Sequence, residues 1–508
     1  VTRAEGGRVV IVGTGFAGIG MGIRLAQAGI HDFTILEQAS GVGGTWRDNR
    51  YPGAACDVES NLYSFSFEPN PGWSRAFASQ AEILAYLERC VDKYGLRPHI
   101  RFDTRVTSAA WDEDAAAWTV ETSRGAKLRA SVLVSGCGGL SRPSFPDLDG
   151  LASFRGKTFH SARWDDGYPL EGKRVAIVGT GASAIQIVPE VAKRAAHLDV
   201  FQRTAPWILS KDDRPIDDRE RARFARFPVS QSLSRAAIYA HKEVIALGFF
   251  VAPAILRIGE AQARWFLRRS VKDRELRKKL TPTFRLGCKR VLLSDDYYPA
   301  LLRPNVDLVT DPIARVVEDG VVTRGGAKRA ADVLVLATGF QAAEQLAPFE
   351  TRGRGGRDLN EAWRGGAEAY LGATVSGFPN LFLLVGPNTG LGHSSMVYMI
   401  ESQIAYVLDA IRTMRARSLR AVDVKPEALR AYNDALHARF DGTVWSSGCA
   451  SWYRTRAGKN TILWPGFTFE FRWRTRRFDA SRYTADLARD ARAPRAPRRP
   501  AGEGAIPG

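Results

Sequence analysis

The sequence predicts an α/β protein of two interleaved doubly wound units with a helical insert. Three observations predict it. A strand, a glycine-rich loop, a helix and a second strand open the chain; the same unit recurs from residue 174; and a charged, mostly helical stretch from about Asp212 to Phe284 carries neither pattern.

Arg8-Val9-Val10-Ile11-Val12 is the continuous apolar run expected of a parallel strand buried on both faces. It leads into Gly13-Thr14-Gly15-Phe16-Ala17-Gly18, a helical pattern to about Ala28, and a second strand, Phe33–Leu36, followed by Glu37. The glycines permit the tight turn and let the backbone approach a pyrophosphate at the helix N-terminus. Glu37 stands 19 positions after Gly18, where an acid bonds a ribose hydroxyl. Glycine spacing alone says little; with strand, helix and acid in place it marks a Rossmann-like dinucleotide-binding unit.

In the second unit Arg174–Val178 is the strand, Gly179-Thr180-Gly181-Ala182-Ser183-Ala184 the loop, and Leu198–Phe201 the next strand. Ala184 takes the third small position, where helix and strand pack closely. Arg203 again follows by 19 positions. An acid there suits a free 2′-hydroxyl and a base suits a 2′-phosphate. The two units are therefore assigned to FAD and NADPH respectively, with one dinucleotide fold plus a decayed copy as the alternative.

Val132–Gly136 and Asp332–Gly339 read as strands returning to these sheets, so the second unit is inserted in the first. The expected boundaries are 1–141 and 337–490 for the FAD-binding domain, 150–210 and 285–336 for the NADP-binding domain, and 211–284 for the helical insert. Residues 491–508 form an Arg-Ala-Pro and Gly-rich basic tail, too poor in apolar surface to fold, and are expected to be disordered.

Composition bounds the function. With 45% apolar and 25% charged residues among 508, the chain has ample material for a core and is not disordered as a whole. Its formal charge of +18 favours anionic ligands, although an arginine-rich composition explains the excess equally well. No interleaved basic and aromatic run suggests nucleic acid. Cys56, Cys90, Cys137, Cys288 and Cys449 are few, odd in number and without a C-x-x-C pair, which argues against a disulfide framework, a zinc site or a dithiol redox centre. A reduced, cytoplasmic setting fits. The first apolar stretch runs into a cofactor loop and is not read as a signal peptide. The longest apolar run, Val244 to Leu256, contains Pro253 and is too short to span a bilayer. It is expected to be a buried helix, with a membrane-surface or substrate-access element as the alternative.

Two nucleotide sites imply hydride transfer from nicotinamide to flavin, and a disulfide reductase lacks its cysteine pair here. Three strings narrow the class. They are Phe154-x-Gly156-x-x-x-His160-x-x-x-Trp164-Asp165, Gly43-Gly44-Thr45-Trp46-x-x-x-x-Tyr51-Pro52-Gly53-x-x-x-Asp57, and Lys289-Arg290 followed by Asp296-Tyr297-Tyr298. Together they resemble the type I Baeyer–Villiger monooxygenases over nearly the whole chain up to the basic tail. The related amine- and sulfide-oxidising flavin monooxygenases share a similar first string but usually lack its Trp-Asp ending.

The resemblance implies an NADPH- and O2-dependent enzyme that forms a C4a-peroxyflavin, adds it to a ketone, and rearranges the adduct to an ester or lactone. It implies Arg290 as the cation beside the peroxide and the tetrahedral adduct, and Asp57 as the acid that orients Arg290. Asp57 could also be a turn residue after Pro52-Gly53. Arg203, Thr204 and Lys289 are implied at the 2′-phosphate, and Ala182, Ser183 and Gln186 beside the second glycine loop. Gly44, Thr45, Trp46, Asp57, Tyr63, Val106 and Met396 are implied at the flavin, although Tyr63 and Met396 also suit an ordinary core. Trp452 is implied near the nicotinamide nucleotide, with a structural core role as its rival. His160 is read as a conformational or interdomain hydrogen-bonding residue, not a base. Ser135-Gly136-Cys137-Gly138 stands where relatives often have Ala-Thr-Gly. Leu286–Leu293 is closer to members acting on aryl or linear ketones. The rival functions are a flavin monooxygenase acting on amines or sulfides, and a non-oxygenating NADPH-binding flavoprotein.

Overall fold

A computed structural model describes residues 8–341, 347–449 and 451–487. Its frame is two five-stranded parallel sheets. In the first, Val9–Val12 lies between Phe33–Leu36 and Val132–Ser135, with Val9 opposite both Phe33 and Val132. In the second, Arg174–Val178 lies between His197–Phe201 and Val333–Leu336, with Val175 opposite Leu198 and Val333. Each glycine loop therefore leaves a central strand flanked by the strand after its helix and by a returning strand. All four residues of Val9–Val12 and of Val333–Leu336 are buried, as the absence of polar alternation in those runs demands.

Leu381–Leu383 joins the outer side of Val132–Ser135. The chain thus completes its first sheet only after building the second, which is the interleaving expected from the two return segments. A smaller sheet of Val106–Asp112, Ala117–Thr122 and Lys127–Ala130 also recruits a late segment, Glu350–Arg352. Residues 491–508, expected to be disordered, lie outside the described residues.

Between the sheets' contributions run four helices, Asp218–Arg226, Pro228–Phe250, Leu256–Ser270 and Arg274–Lys279. Their starts are locally encoded. Asp217 and Asp273 accept the backbone N–H of Glu220 and Leu276 as N-caps, and Pro228 stands at a first helical position, where its missing N–H costs nothing. The two long helices meet at a 107° bend around Pro253. Gly248 permits the bend, because a Cβ there would lie 2.8 Å from the Leu256 side chain.

The apolar run Val244 to Leu256 departs from the buried helix expected of it. Ala246, Phe249 and Leu256 are buried, but Val244, Ile245, Val251 and Ile255 are exposed. The run is half a helix end and half a turn, and only one side of it meets the protein. Among the described residues no single helix is long and apolar enough to cross a membrane.

Candidate active site

Both glycine loops are closed on the sheet side. Gly13 has a φ of +100°, and a Cβ there would sit 3.1 Å from the Gly136 carbonyl oxygen. A Cβ at Gly18 would fall 1.9 Å from the carbonyl oxygen of Gly13, so only glycine lets the helix Phe16–Gln27 start that close to its strand. In the second loop Gly179 has a φ of +117° and a Cβ would lie 2.4 Å from the Ala337 carbonyl oxygen. The middle glycines differ. Gly15 has only Gly44 at 4.0 Å and Gly181 has nothing within 4 Å, leaving the space a pyrophosphate needs. Both loops fit a bound dinucleotide on this ground.

Glu37 closes the first unit and is almost fully buried. Its Oε2 accepts Thr14 N–H at 3.0 Å and Thr14 Oγ1–H at 2.6 Å, and its Oε1 accepts Ala39 N–H at 3.0 Å and faces Arg47 at 2.9 Å. The carboxylate is thus fully engaged in holding the loop, and a ribose hydroxyl would have to displace one of these partners. Beside the loop, Phe16, Trp46 and Tyr63 meet edge to face, with ring centres 5.3 and 5.6 Å apart, and Trp46 Nε1–H donates to the Tyr63 hydroxyl at 3.2 Å. Gly44 and Thr45 start the short helix carrying Trp46. Val106 is buried at the head of its strand. Cys137 is half-buried, and burial pushes its thiol up to about 11.

Tyr51-Pro52-Gly53 docks the first unit on the second. Gln186 donates to the Ala55 carbonyl at 3.0 Å and accepts from the Tyr51 hydroxyl at 3.1 Å. Gly53, at a φ of +78°, approaches so closely that a Cβ would lie 2.6 Å from the Gln186 carbonyl oxygen. Asp57 follows directly and reaches Arg290, 233 residues away in sequence. Arg290 Nε–H and Nη2–H both donate to Asp57 Oδ2, at 3.0 and 2.5 Å, and Nη1–H donates to the Leu391 carbonyl at 3.2 Å. Burial works against the charge on Asp57, but the Arg290 guanidinium outweighs it and holds the carboxyl below the usual carboxylate range. Asp57 in turn raises the Arg290 pKa. Each partner thus favours the charged form of the other.

Arg203 is exposed and Thr204 half-buried beside the second loop, with Thr180 Oγ1–H donating to the Thr204 carbonyl at 3.2 Å. Lys289 stands close enough to Arg203 to feel its charge: burial first, and then Arg203, lower its pKa. Its ammonium lies 4.8 Å from the Phe284 ring centre. Among the described residues neither cation has a carboxylate partner within ion-pairing distance. Two unneutralised cations side by side are costly without an anion between them. Ala182 is exposed and Ser183 half-buried in the same loop.

The other expectations fare unevenly. His160 is buried, its Nδ1 accepts Ala162 N–H at 3.1 Å, and burial lowers its pKa. Trp164 is buried against Phe159, and Asp165 pairs with Lys157 at 2.6 Å. Trp452 is 45% exposed, while its neighbour Tyr453 is buried, so Trp452 is not a core tryptophan. Met396 starts the helix Met396–Ala416 and packs half-buried against the apolar cluster that includes Trp207, Cys288 and Trp445.

The cysteines require a correction. Cys288 and Cys449 form a disulfide, 161 residues apart in sequence. It joins the residue before Lys289-Arg290 to the loop leading to Trp452. Cysteine spacing reads local pairs and frameworks, and a single bridge made by tertiary contact leaves no such signal. Sequence reasoning also missed His393, whose ring is buried 3.8 Å from Glu243. Glu243 accepts Thr468 N–H at 3.0 Å and Oγ1–H at 2.6 Å. The apolar wall of Phe249, Leu391 and Trp445 beside them was missed as well. None of these belongs to a spacing pattern.

Comparison with known proteins decides the family. A family model described as pyridine nucleotide-disulphide oxidoreductase matches residues 10–219, which hold both glycine loops. The chain is 52% identical over 478 residues to a Baeyer–Villiger monooxygenase of Pseudomonas aeruginosa, covering 94% of this chain and 91% of that protein. The chain belongs to the Baeyer–Villiger monooxygenases. Among solved structures, an oxidised steroid monooxygenase bound to NADP matches with a TM-score of 0.85 and 36% identity, covering 95% of this chain and 100% of the other. A further match, OTEMO in complex with FAD and NADP, has a TM-score of 0.84 and 29% identity over 94% of this chain and 99% of the other. The fold of this monooxygenase is therefore that of its family: two interleaved dinucleotide-binding units with a helical insert.

Proposed function

We propose that this monooxygenase inserts one oxygen atom of O2 beside the carbonyl of a ketone, giving an ester or lactone, with FAD and NADPH as its cofactors. The observation that carries the reading is the Arg290–Asp57 pair, placed where the docking loop of the first unit meets the second. When bound, FAD reduced by NADPH supplies the activation of oxygen. The protein's task is to hold the groups in place, keep water out and stabilise negative charge.

Addition of an anionic oxygen nucleophile to a ketone leaves a negative tetrahedral centre. A preorganised cation away from bulk water stabilises that charge at little reorganisation cost. A guanidinium has five N–H donors. Asp57 and the Leu391 carbonyl take three of those on Arg290, which leaves two for an oxyanion. Asp57 binds through one oxygen on one edge, so it fixes the plane of the guanidinium without covering its free edge. Arginine suits the role because it cannot lose its proton at working pH.

Arg203 and Lys289, with Thr204, receive the 2′-phosphate, and Trp452 meets the nicotinamide nucleotide. The aromatic cluster of Phe16, Trp46 and Tyr63, with Val106 and Met396, lines the flavin. The apolar wall at Phe249, Leu391 and Trp445 receives the substrate's hydrocarbon.

The test is turnover of aryl, linear and cyclic ketones under labelled dioxygen, with NADPH. The expected product is an ester or lactone carrying one labelled oxygen. Amine or sulfide oxygenation with no ester from any ketone would favour the heteroatom-oxidising alternative. NADPH consumption that yields only hydrogen peroxide would overturn oxygenation altogether.

A further inference from the structure

The helical insert has a second face that the proposed chemistry does not use. Nine of the sixteen exposed large apolar side chains among the described residues lie between Phe227 and Trp265. On the helix Pro228–Phe250 they follow a helical spacing, with Val229, Leu233 and Val244 exposed on one stripe. Val251 and Ile255 carry the exposed surface round the bend, and Ile258 and Trp265 continue it, two turns apart, on Leu256–Ser270. Burying such side chains is favourable, so a stripe of this length left in water is a feature that calls for a partner.

The surroundings of the stripe are cationic. Residues 256–280 hold nine Lys or Arg and three Asp or Glu. Arg264, Arg268, Arg274, Arg277 and Lys278 line a groove of about 610 Å³ in which Glu275 is the one acid. Trp265 is 60% exposed, with the Arg269 guanidinium 5.4 Å from its ring centre. Apolar side chains flanked by Arg, with an exposed tryptophan at the boundary, are the pattern of a helix lying in the plane of a bilayer interface. The groove suits headgroup phosphates.

We propose that the helical insert docks this monooxygenase on the surface of an anionic phospholipid bilayer. The bent pair Pro228–Phe250 and Leu256–Ser270 rests its apolar stripe among the acyl chains near the headgroups, and the groove holds lipid phosphate. The same first helix buries Phe249 in the wall beside Arg290 and Glu243 beside His393. One helix therefore meets the membrane on one side and the candidate site on the other, a short path for an apolar substrate dissolved in lipid.

The test is flotation of the FAD-loaded enzyme with vesicles of equal parts phosphatidylcholine and phosphatidylglycerol, beside vesicles of phosphatidylcholine alone. Binding is expected to the anionic vesicles and to weaken as salt rises. Val251→Glu combined with Ile258→Glu should lower that binding by about tenfold or more, with flavin content and turnover of a small water-soluble ketone unchanged. Both side chains are exposed, so the variant retains the fold. Arg268→Glu combined with Arg269→Glu should remove the preference for anionic vesicles. No flotation at low salt would overturn the proposal. Flotation that the apolar substitutions leave untouched would overturn it too, since attraction by net charge alone would then suffice. A concentration-dependent dimer abolished by Val251→Glu and Ile258→Glu, with no flotation, would assign the face to a second copy of the chain instead.

Discussion

Arg203→Ala and Lys289→Ala offer a quantitative trial of the nucleotide assignment. A charge-assisted hydrogen bond is worth about 1.5–3 kcal/mol, roughly tenfold to a hundredfold in affinity. The two residues should fall at different ends of that range. Arg203 is exposed, so water screens its attraction and its loss should cost about tenfold. Lys289 is half-buried beside Arg203, with its ammonium already disfavoured. A phosphate dianion relieves both burdens at once, so its loss should approach a hundredfold. NADH lacks the 2′-phosphate and should bind each variant as it binds the unmodified enzyme. Titration of the FAD-loaded enzyme with each nucleotide, read as quenching of protein fluorescence, measures both affinities without turnover. Equal weakening of NADH and NADPH would refute the reasoning, as would equal use of the two by the unmodified enzyme.

Lys289 also gives a pH dependence. Its lowered pKa means that the ammonium is lost earlier than in an ordinary lysine as pH rises; the KM for NADPH should therefore climb on the alkaline side while that for NADH stays level, and Lys289→Arg should flatten the climb. Gly53→Ala places a Cβ 2.6 Å from the Gln186 carbonyl oxygen at a positive φ; a left-handed backbone alone costs about 1–2 kcal/mol, so the variant should melt lower in a thermal scan and lose ketone oxygenation more than FAD. Cys449→Ser opens the bridge to Cys288. It should leave the FAD spectrum intact but weaken retention of NADP in equilibrium dialysis, because the loop bearing Trp452 loses its tether to the Lys289-Arg290 segment.

Features encoded by local sequence were legible beforehand. The two glycine loops could be read because each position answers a local steric demand, visible at Gly13, Gly18 and Gly179 as contacts too short for any Cβ. The return strands were legible because burial on both faces removes polar alternation. The meeting of Asp57 with Arg290 was reached only through family resemblance, since no periodicity connects residues 233 positions apart. The Cys288–Cys449 bridge went unread for the same reason. The Val244 to Leu256 run shows a different limit. Apolar composition reports that a segment avoids water, not which neighbour it meets, and here Phe249 and Val251 lie on opposite sides of that question. Glu37 stands where its position predicts, and its further work of holding Thr14, Ala39 and Arg47 shows only in the structure.

The central claim is that Arg290, oriented by Asp57, stabilises the negative charge of ketone oxygenation. Its most direct test is the ratio of ester formed to NADPH consumed by Arg290→Ala, measured against the unmodified enzyme at equal flavin content. The expected result is retained FAD, continued NADPH oxidation and loss of at least a hundredfold in ester, with hydrogen peroxide in its place. Ester formation at an undiminished ratio would contradict the claim.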